Sequence, residues 1–367
     1  MIEPAADLMA ELVAAAAGVM AVEDVTDGVA PGNSIRLRGR LLLPAEQAYE
    51  ILAERMRPLG RTPLLRKSQD GAREEVLALP VTFAHARPRV ALALVLFALT
   101  VLSCLFVGAQ MWEWVAAAGV LNLNLLDGVP FAAALLAILL AHEFGHYLTA
   151  RRLGSSTSLP YFIPMPFGPF GTLGAFISMA VPPRNRRHLL AVGAAGPLAG
   201  LIVALPLLWL GLNLSHVQPL PSGGYQMEGN SLLYALMKYL IFGKFLPSAG
   251  EDVFIHPVAF AAWAGLLVTG LNLIPAGQLD GGHIVYALFG PRGARTVTWI
   301  VMAGLAGLSF LWSGWLLWLG LVFLFGRMQD MPLDELTRLT PREQALAVLM
   351  LIVFILVFTP IPLTIVP

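Results

Sequence analysis

Charged residues are scarce in this sequence. Lys, Arg, Asp and Glu together make up 13% of its 367 residues, whereas hydrophobic residues make up 57%. Soluble domains contain about 25% charged and about 45–50% apolar residues, which excludes an ordinary water-soluble fold for the whole chain. A mean hydropathy of +0.74 is instead typical of a protein that crosses a membrane several times. Because the formal net charge is zero, there is no overall electrostatic attraction for nucleic acid.

Cysteine is almost absent. The single residue, Cys104, lies in an apolar run, so an internal disulfide is excluded and we expect ordinary packing within a membrane span. The first residues are acidic and contain no basic n-region, so we expect neither a cleavable signal peptide nor an Arg-rich transit peptide.

Long hydrophobic runs are missing from residues 1–88. This part carries a large share of the acidic residues of the chain and many of its arginines. Helical and alternating hydrophobic patterns predict two helices and two strands: helices at residues 2–20 and 44–59, strands at residues 34–43 and 74–79. We therefore predict a small soluble α+β domain over residues 1–88.

Hydrophobic runs dominate the second part, residues 89–367. A membrane-spanning helix needs about 17–25 apolar residues. Runs of roughly that length, the last of them shorter, are found at residues 90–107, 130–150, 189–214, 256–274 and 345–358. Residues 296–325 exceed one span, and the Ser313-Gly314 pair predicts a hairpin there. The predicted fold class is a polytopic, all-α membrane bundle.

Two further apolar segments do not fit a simple span. Residues 159–181 are interrupted by four prolines and several glycines, which makes them a poor helix. Residues 230–245 have only Lys238 and Lys244 as charged residues and predict an amphipathic helix at the membrane surface.

Basic residues are unevenly distributed around the predicted spans. If the spans alternate in direction, one side receives residues 1–88 and most Arg-containing loops, including Arg151, Arg152, Arg184, Arg186, Arg187, Arg292, Arg295, Arg327, Arg338 and Arg342. The loop at residues 111–128, on the other side, has no Lys or Arg. The positive-inside rule then predicts a cytoplasmic N-terminal domain in a bacterial inner (plasma) membrane, or the stromal side in an organelle.

Polar residues with metal-binding chemistry lie inside the second predicted span. His142 and His146 are four residues apart, so on a helix they share one face, with Cα atoms roughly 6 Å apart. That spacing suits two imidazoles binding one Zn²⁺, and Glu143 is then placed as a general base. Ionisable groups within a membrane span are costly and usually functional. The alternative is a polar cluster satisfied by helix contacts.

A zinc site with two histidines needs a third protein ligand. Asp280 follows the fourth predicted span, in a segment with Pro275 and Gly277 that cannot continue a helix. Irregular backbone at membrane depth is tolerated where it lines a cavity or is buried in protein. Asp280 is therefore a candidate oxygen ligand. An equally weighted alternative is that Asp280 caps a short helix at residues 281–289.

These residues resemble a known family. The resemblance covers residues 130–291 and rests on His142-Glu143-Phe144-Gly145-His146 together with Asn272, Pro275 and Leu279-Asp280-Gly281. They are similar to the site-2 protease family of intramembrane zinc metalloproteases. Residues 164–176 and 277–283 more loosely resemble the branch that contains the chloroplast "ethylene-dependent gravitropism-deficient and yellow-green" proteins and bacterial relatives.

The resemblance implies a role for each motif residue. His142, His146 and Asp280 would bind one zinc ion per chain, and Glu143 would be the general base and proton shuttle. Asn272 would hold the scissile carbonyl or its oxyanion, with a helix–helix hydrogen bond as the alternative. Residues 159–181 would form a membrane-entering loop or hairpin. Residues 174–178 would then offer an edge strand to an extended substrate, or else form a surface connector.

The implied activity is hydrolysis of peptide bonds in or near the transmembrane segments of other membrane proteins, within the lipid bilayer. Two alternatives are a catalytically inactive relative that binds membrane proteins and a zinc transporter. The Glu143 position argues against transport. The glycines Gly193, Gly196 and Gly200 are expected to pack against the catalytic helix. We expect His283 to lie on a helix surface, with a ligand-orienting role as the alternative.

Overall fold

The computed structural model describes residues 3–30, 33–68, 71–83, 89–111, 119–179, 181–221, 223–325 and 331–366. The helices of this part are α1 Glu3–Ala16, α2 Ala45–Met56, α3 Val90–Ala109, α4 Val129–Arg152, α5 Arg186–Asn213, α6 Leu232–Phe242, α7 Pro257–Asn272, α8 Asp280–Leu308, α9 Trp315–Phe325 and α10 Pro341–Val357. The strands are β1 Met20–Val29, β2 Ser34–Leu41, β3 Thr62–Lys67, β4 Glu74–Leu79, β5 Tyr161–Met165, β6 Gly171–Phe176, β7 His216–Pro219, β8 Tyr225–Glu228, β9 Glu251–Phe254 and β10 Leu363–Val366.

The N-terminal sheet domain, residues 3–83, is an antiparallel sheet with two helices. Its strands run in the order β1-β2-β4-β3, and their buried side chains meet those of α1 and α2 around Leu37, Leu52 and Val76. Both predicted helices and both predicted strands are found, with α1 ending at Ala16, before the predicted 20. Strands β1 and β3 were not predicted. The expected boundary after residue 88 lies outside the described residues.

Three helices of the described part are long and apolar enough to cross a membrane: Val90–Ala109, Leu125–Arg152 and Arg186–Asn213. They lie where the first three spans were predicted. The first turn of Leu125–Arg152 is a 3-10 helix, continued by α4. The interior of α5 contains Pro197 and Pro206, which its neighbours accommodate because the helix is largely buried.

Three further apolar helices of the described part, α6, α7 and α9, are shorter than a full span. Helix α7 has 16 residues, which gives it a length of ~24 Å. The helix at the fourth predicted span is therefore shorter than a full membrane span. Helix α8 is kinked at Gly290, where the backbone has φ 72° and ψ −174°. Residues 309–314 separate α8 from α9, so the stretch at residues 296–325 divides close to the Ser313-Gly314 pair, as predicted.

The core of the helical part is built around α5, which contacts α4, α7 and α8. Small residues permit close approach of these helices. A Cβ on Gly145 of α4 would lie 2.5 Å from the carbonyl oxygen of Ala195 on α5, so only glycine fits there. Short side chains therefore bring α4 and α5 to backbone contact, which fixes the position of the residues at 142–146.

The apolar, Pro-rich stretch at residues 159–181 forms a β-hairpin. Strands β5 and β6 pair with each other, and both contact α3. In the part of the chain that the structure describes, β6 pairs with no other strand. Two further small sheets are present: β7 pairs with β9, and β8 pairs with β10.

The N-terminal sheet domain is joined to the helical part by residues 331–340. Leu333 packs into the core of the sheet domain, and its carbonyl oxygen accepts a hydrogen bond from Leu65 N at 2.8 Å. Arg187, in the first turn of α5, donates to Glu46 at 3.0 Å. Through these contacts the sheet domain packs against the first turn of α5. This is the end of the helix that is predicted to face the cytoplasm.

Candidate metal centre

Helix α4 places two imidazoles side by side. His142 and His146 are four residues apart, and their ring centroids are 4.9 Å apart. Both residues are buried, with 3% and 7% exposure. The helical spacing thus produces the shared face that the sequence predicted.

Asp280 completes the cluster from a distant part of the chain. Its Oδ2 atom lies 3.4 Å from Nε2 of His142 and 3.3 Å from Nε2 of His146. One donor atom from each of these three residues lies within 4.8 Å of the others. Asp280 is the first residue of α8, the N-cap is Leu279, and no side chain caps the helix. The carboxylate therefore faces the histidines, and the capping alternative is not observed.

The donor set fits a zinc ion. Nδ1 of His146 lies 2.8 Å from the carbonyl oxygen of Val192. Because a carbonyl oxygen only accepts hydrogen bonds, Nδ1 carries the proton and donates it. The Nε2 atom that faces Asp280 is then the unprotonated one, as a metal ligand must be. Two neutral imidazoles and one carboxylate form a three-ligand set that leaves a position for water, as in catalytic zinc sites.

Glycines on α5 lie against the two imidazoles. A Cβ on Gly196 would be 2.0 Å from Nε2 of His146, and one on Gly200 would be 3.3 Å from Nδ1 of His142. Gly196 and Gly200 therefore pack against the catalytic helix, as expected, and Gly196 touches the ligand atom itself. Gly193, the third glycine of the run, instead faces α8.

Glu143 lines a cavity beside the histidines. This active-site cavity has a volume of about 580 Å³ and includes His142, His146, Asn272 and Asp280 in its wall. Its rim contains Phe176 and Ile177 beside the β5–β6 hairpin, Phe83 of the sheet domain, and Met331. A single cavity thus joins the predicted base, the predicted ligands and the hairpin.

Asn272 reaches the same cluster from the last residue of α7. Its Nδ2 atom lies 3.2 Å from Nε2 of His142. The contact joins α7 to α4, and its partner is the nitrogen of His142 that faces Asp280. Zinc bound to that nitrogen would occupy its lone pair and leave the Asn272 amide free to donate to a bound substrate. Asn272 is thus close enough to contact a substrate bound at the cluster.

Two other predictions can be compared with the structure. His283 is 8% exposed, so the expected surface position is wrong. Its side chain lies one turn after Asp280 and meets α5, where a Cβ on Gly193 would be 3.1 Å from its Cβ. Cys104 is buried, and its Sγ lies 3.5 Å from the carbonyl oxygen of Phe170. It packs α3 against the hairpin and is absent from the cavity wall.

Three contributors to the site were not predicted. The Val192 carbonyl is a backbone group, so the type of residue at position 192 does not predict its contact with His146. Phe83 and Met331 come from segments with no site-like pattern, and only the folded chain brings them to the rim.

Comparison with known proteins agrees with this geometry. Residues 130–311 match the family described as "Peptidase family M50". This match covers just under half of the chain and includes His142, Glu143, His146 and Asp280. The resemblance to site-2 proteases stated from the motifs is confirmed.

Several named relatives are similar over the same region. The "Probable zinc metalloprotease EGY2, chloroplastic" of Arabidopsis thaliana is 36% identical over 248 residues, which cover 66% of this chain and 43% of that protein. The protein of the same name from Oryza sativa subsp. indica is 36% identical over 251 residues, covering 66% and 44%. The "Probable zinc metalloprotease EGY1, chloroplastic" of Arabidopsis thaliana is 33% identical over 244 residues, covering 64% and 43%.

The chain spans less than half the length of these relatives. No solved structure matches it. The relatives carry chloroplast names, which agree with the predicted branch and give no support to the expected bacterial plasma membrane.

Proposed function

We propose that this chain is an intramembrane zinc metalloprotease that hydrolyses peptide bonds in or near the transmembrane segments of other proteins. The observation that carries the proposal is the convergence of His142, His146 and Asp280 from two separate helices, with Glu143 in the same cavity wall. Burying ionisable groups among apolar helices is costly, so such a cluster is expected to serve a function and not the stability of the fold.

We further propose a multi-pass arrangement in the membrane. Helices α3, α4 and α5 supply full spans, and the shorter apolar helices pack around them as a bundle. Residues 1–88 form a separate aqueous domain on the side toward which the active-site cavity opens, since Phe83 lies on the cavity rim. The basic loops support assigning that side to the cytoplasm, or to the stroma in a chloroplast.

The proposed roles follow from position. His142, His146 and Asp280 would hold the zinc ion. Zinc at this site would supply Lewis acidity to a water molecule and to the scissile carbonyl. Glu143 takes up the proton of the attacking water and delivers it to the leaving amine, because its carboxylate lines the same cavity. Asn272 offers a fixed amide donor to the oxygen on which charge develops.

The β5–β6 hairpin is the proposed substrate platform. A transmembrane helix hides its peptide bonds, so it must be extended before hydrolysis. The outer edge of β6 faces no other strand of the described chain, and the cavity wall continues from it through Phe176 and Ile177. An extended substrate added to this edge would lie along the cavity that contains Glu143.

The test compares the intact protein with its Glu143→Gln variant in detergent. We expect both to contain one zinc ion per chain, because Glu143 is not among the ligands. Cleavage of a transmembrane test substrate should fall about 10²–10⁴-fold in the variant, the usual contribution of a general base. Chelation should abolish the wild-type activity. Absence of zinc from the wild type would reject the proposal. Zinc binding without cleavage of a broad substrate panel would favour an inactive relative.

A further inference from the structure

A second cavity lies between the N-terminal sheet domain and the helical part, and it is strongly basic. Its walls come from the end of β3, the joining residues 335–338, the start of α5 and the kink of α8. Its volume is about 580 Å³, within the usual range of small-ligand sites. None of its lining residues belongs to the active-site cavity. We call it the joint cavity.

The charges in the joint cavity are unbalanced. Among the described lining residues five are cationic and one is acidic: Arg66, Lys67, Arg186, Arg292, Arg338 and the carboxylate Glu335. That carboxylate is already engaged, because it accepts a hydrogen bond from Tyr286 at 2.7 Å and pairs with Arg66 at 3.8 Å. The whole chain has zero net charge, so this excess of positive charge is local.

Two of the guanidinium groups have buried donors without an acceptor. The Nε atoms of Arg66 and Arg186 are buried and have no hydrogen-bond partner among the described residues, which is also true of Arg36 and Arg184 outside the cavity. Buried polar groups in folded proteins are nearly always satisfied, and exceptions call for a water molecule or an ion. Donors of this kind match the oxygens of a phosphate group, which arginine binds with charge-assisted hydrogen bonds.

The backbone of α8 is shaped to admit one of these arginines. Gly290 has a φ of 72°, a backbone conformation that residues other than glycine rarely adopt. A Cβ there would lie 2.8 Å from the Nη2 atom of Arg186. The kink, the glycine and the arginine therefore form one local arrangement that holds a guanidinium at the cavity wall.

Membrane topology alone does not explain the joint cavity. The positive-inside rule accounts for basic residues in loops near the ends of spans. It does not require basic side chains from four separate chain segments to enclose one space. Arg66 comes from the sheet domain, Arg186 from α5, Arg292 from α8 and Arg338 from the joining residues.

We propose that the joint cavity binds a phosphate-bearing anion, either a soluble phosphate compound or the headgroup of an anionic phospholipid. The bound anion would neutralise the guanidinium groups of the sheet domain, α5 and the joining residues together. It would thereby hold the sheet domain against α8, the helix that begins with Asp280. This inference concerns binding and does not depend on the proposed protease activity.

The experiment measures binding to the intact protein. Inorganic phosphate and pyrophosphate are titrated calorimetrically into protein in a neutral detergent. In the second arm, the protein is reconstituted into phosphatidylcholine nanodiscs with or without phosphatidylglycerol, and its unfolding temperature is measured. A soluble source gives saturable binding in the first arm. A lipid source gives a higher unfolding temperature only in the phosphatidylglycerol discs.

The Arg186→Gln/Arg338→Gln variant provides the specificity test. It should weaken binding roughly tenfold or more, because charge-assisted hydrogen bonds are lost. The control is Arg40→Gln/Arg57→Gln, which removes the same charge from exposed positions of the sheet domain and should bind like the wild type. Hydrogen exchange in β3 and residues 335–338 should slow on binding in the wild type and the control alone. Equal affinity in both variants, or no binding in either arm, would overturn the proposal.

Discussion

At the scale of the residue, Gly196 is the most constrained position beside the metal centre. We predict that Gly196→Ala removes zinc binding, because the added Cβ would lie 2.0 Å from Nε2 of His146. The imidazole would have to move away from Asp280. Alanine favours helices over glycine by about 1 kcal/mol, so helix stability itself should not suffer.

A matched control is available for this prediction. Gly304 lies in α8, and a Cβ added there would meet no atom within 4 Å, so Gly304→Ala makes the same chemical change in open space. Zinc content by mass spectrometry should fall in the Gly196 variant and stay at the wild-type value in the control. Full zinc content in Gly196→Ala would contradict the prediction that the contact between Gly196 and His146 limits zinc binding.

Asp280 offers a second residue-scale prediction. Asparagine caps helices about as well as aspartate does, so a capping role predicts that Asp280→Asn is harmless. A ligand role predicts loss of zinc, because the amide lacks the carboxylate charge that the two histidines face at 3.3–3.4 Å. We expect zinc content to drop while the helical circular-dichroism signal stays unchanged. Retained zinc would show that the Asp280 carboxylate is not required as a ligand.

At the scale of the element, α6 lies within the amphipathic helix predicted at residues 230–245, and most of its side chains are not buried. Lys238 on this helix is fully buried, at 3.5 Å from Asp252 and 3.8 Å from Glu228. Burial raises the pKa of Glu228, and the Lys238 ammonium opposes that shift. The pair of carboxylates therefore depends on one buried cation.

We predict that Lys238→Met destabilises the protein by about 3–5 kcal/mol, since two buried acids would lose their counter-charge. Lys244, just beyond the same helix, is exposed and pairs with Glu251, so Lys244→Met should cost at most about 1 kcal/mol. Thermal unfolding of both variants tests the difference. Equal unfolding temperatures would mean that the buried cluster contributes nothing to stability.

Helices were more predictable than strands, for a physical reason. Long apolar runs identify α3, α4 and α5 because nothing but a membrane or a large core can accommodate them. Strands β1 and β3 were missed because they are the two edges of their sheet. Edge strands carry polar residues and proline, as β1 does with its acidic residues and β3 with Pro63, and these hide the strand pattern.

The residues of the site also differ in how well the sequence predicts them. His142, Glu143 and His146 were predictable because one helical turn creates their geometry. The role of Asp280 stayed open in the sequence, since its partners lie more than one hundred residues away and only packing of α4, α5 and α8 brings them together. The buried position of His283 depends on the same packing and was therefore predicted wrongly.

At the scale of the whole molecule, the sheet domain and the catalytic cavity are physically connected. Phe83 and Met331 line the cavity rim, and the domain is held by ion pairs of Arg184 with Glu50 and of Arg187 with Glu46. We therefore predict that the docked sheet domain partly covers the cavity, and that its release would ease the approach of a substrate from this side.

We predict that Arg187→Glu raises the cleavage rate of a test substrate roughly five- to tenfold, because it turns the attraction to Glu46 at 3.0 Å into repulsion and populates the undocked domain. The double variant Arg187→Glu/Glu46→Arg restores an opposite-charge pair and should return the rate toward the wild type. Hydrogen exchange of residues 331–340 should follow the same order, fast in the single variant and slow again in the double one. If exchange responds in this way while the cleavage rate does not change, the domain undocks without covering the site. In that case the control of substrate entry would lie with the β5–β6 hairpin, which forms the other part of the cavity rim.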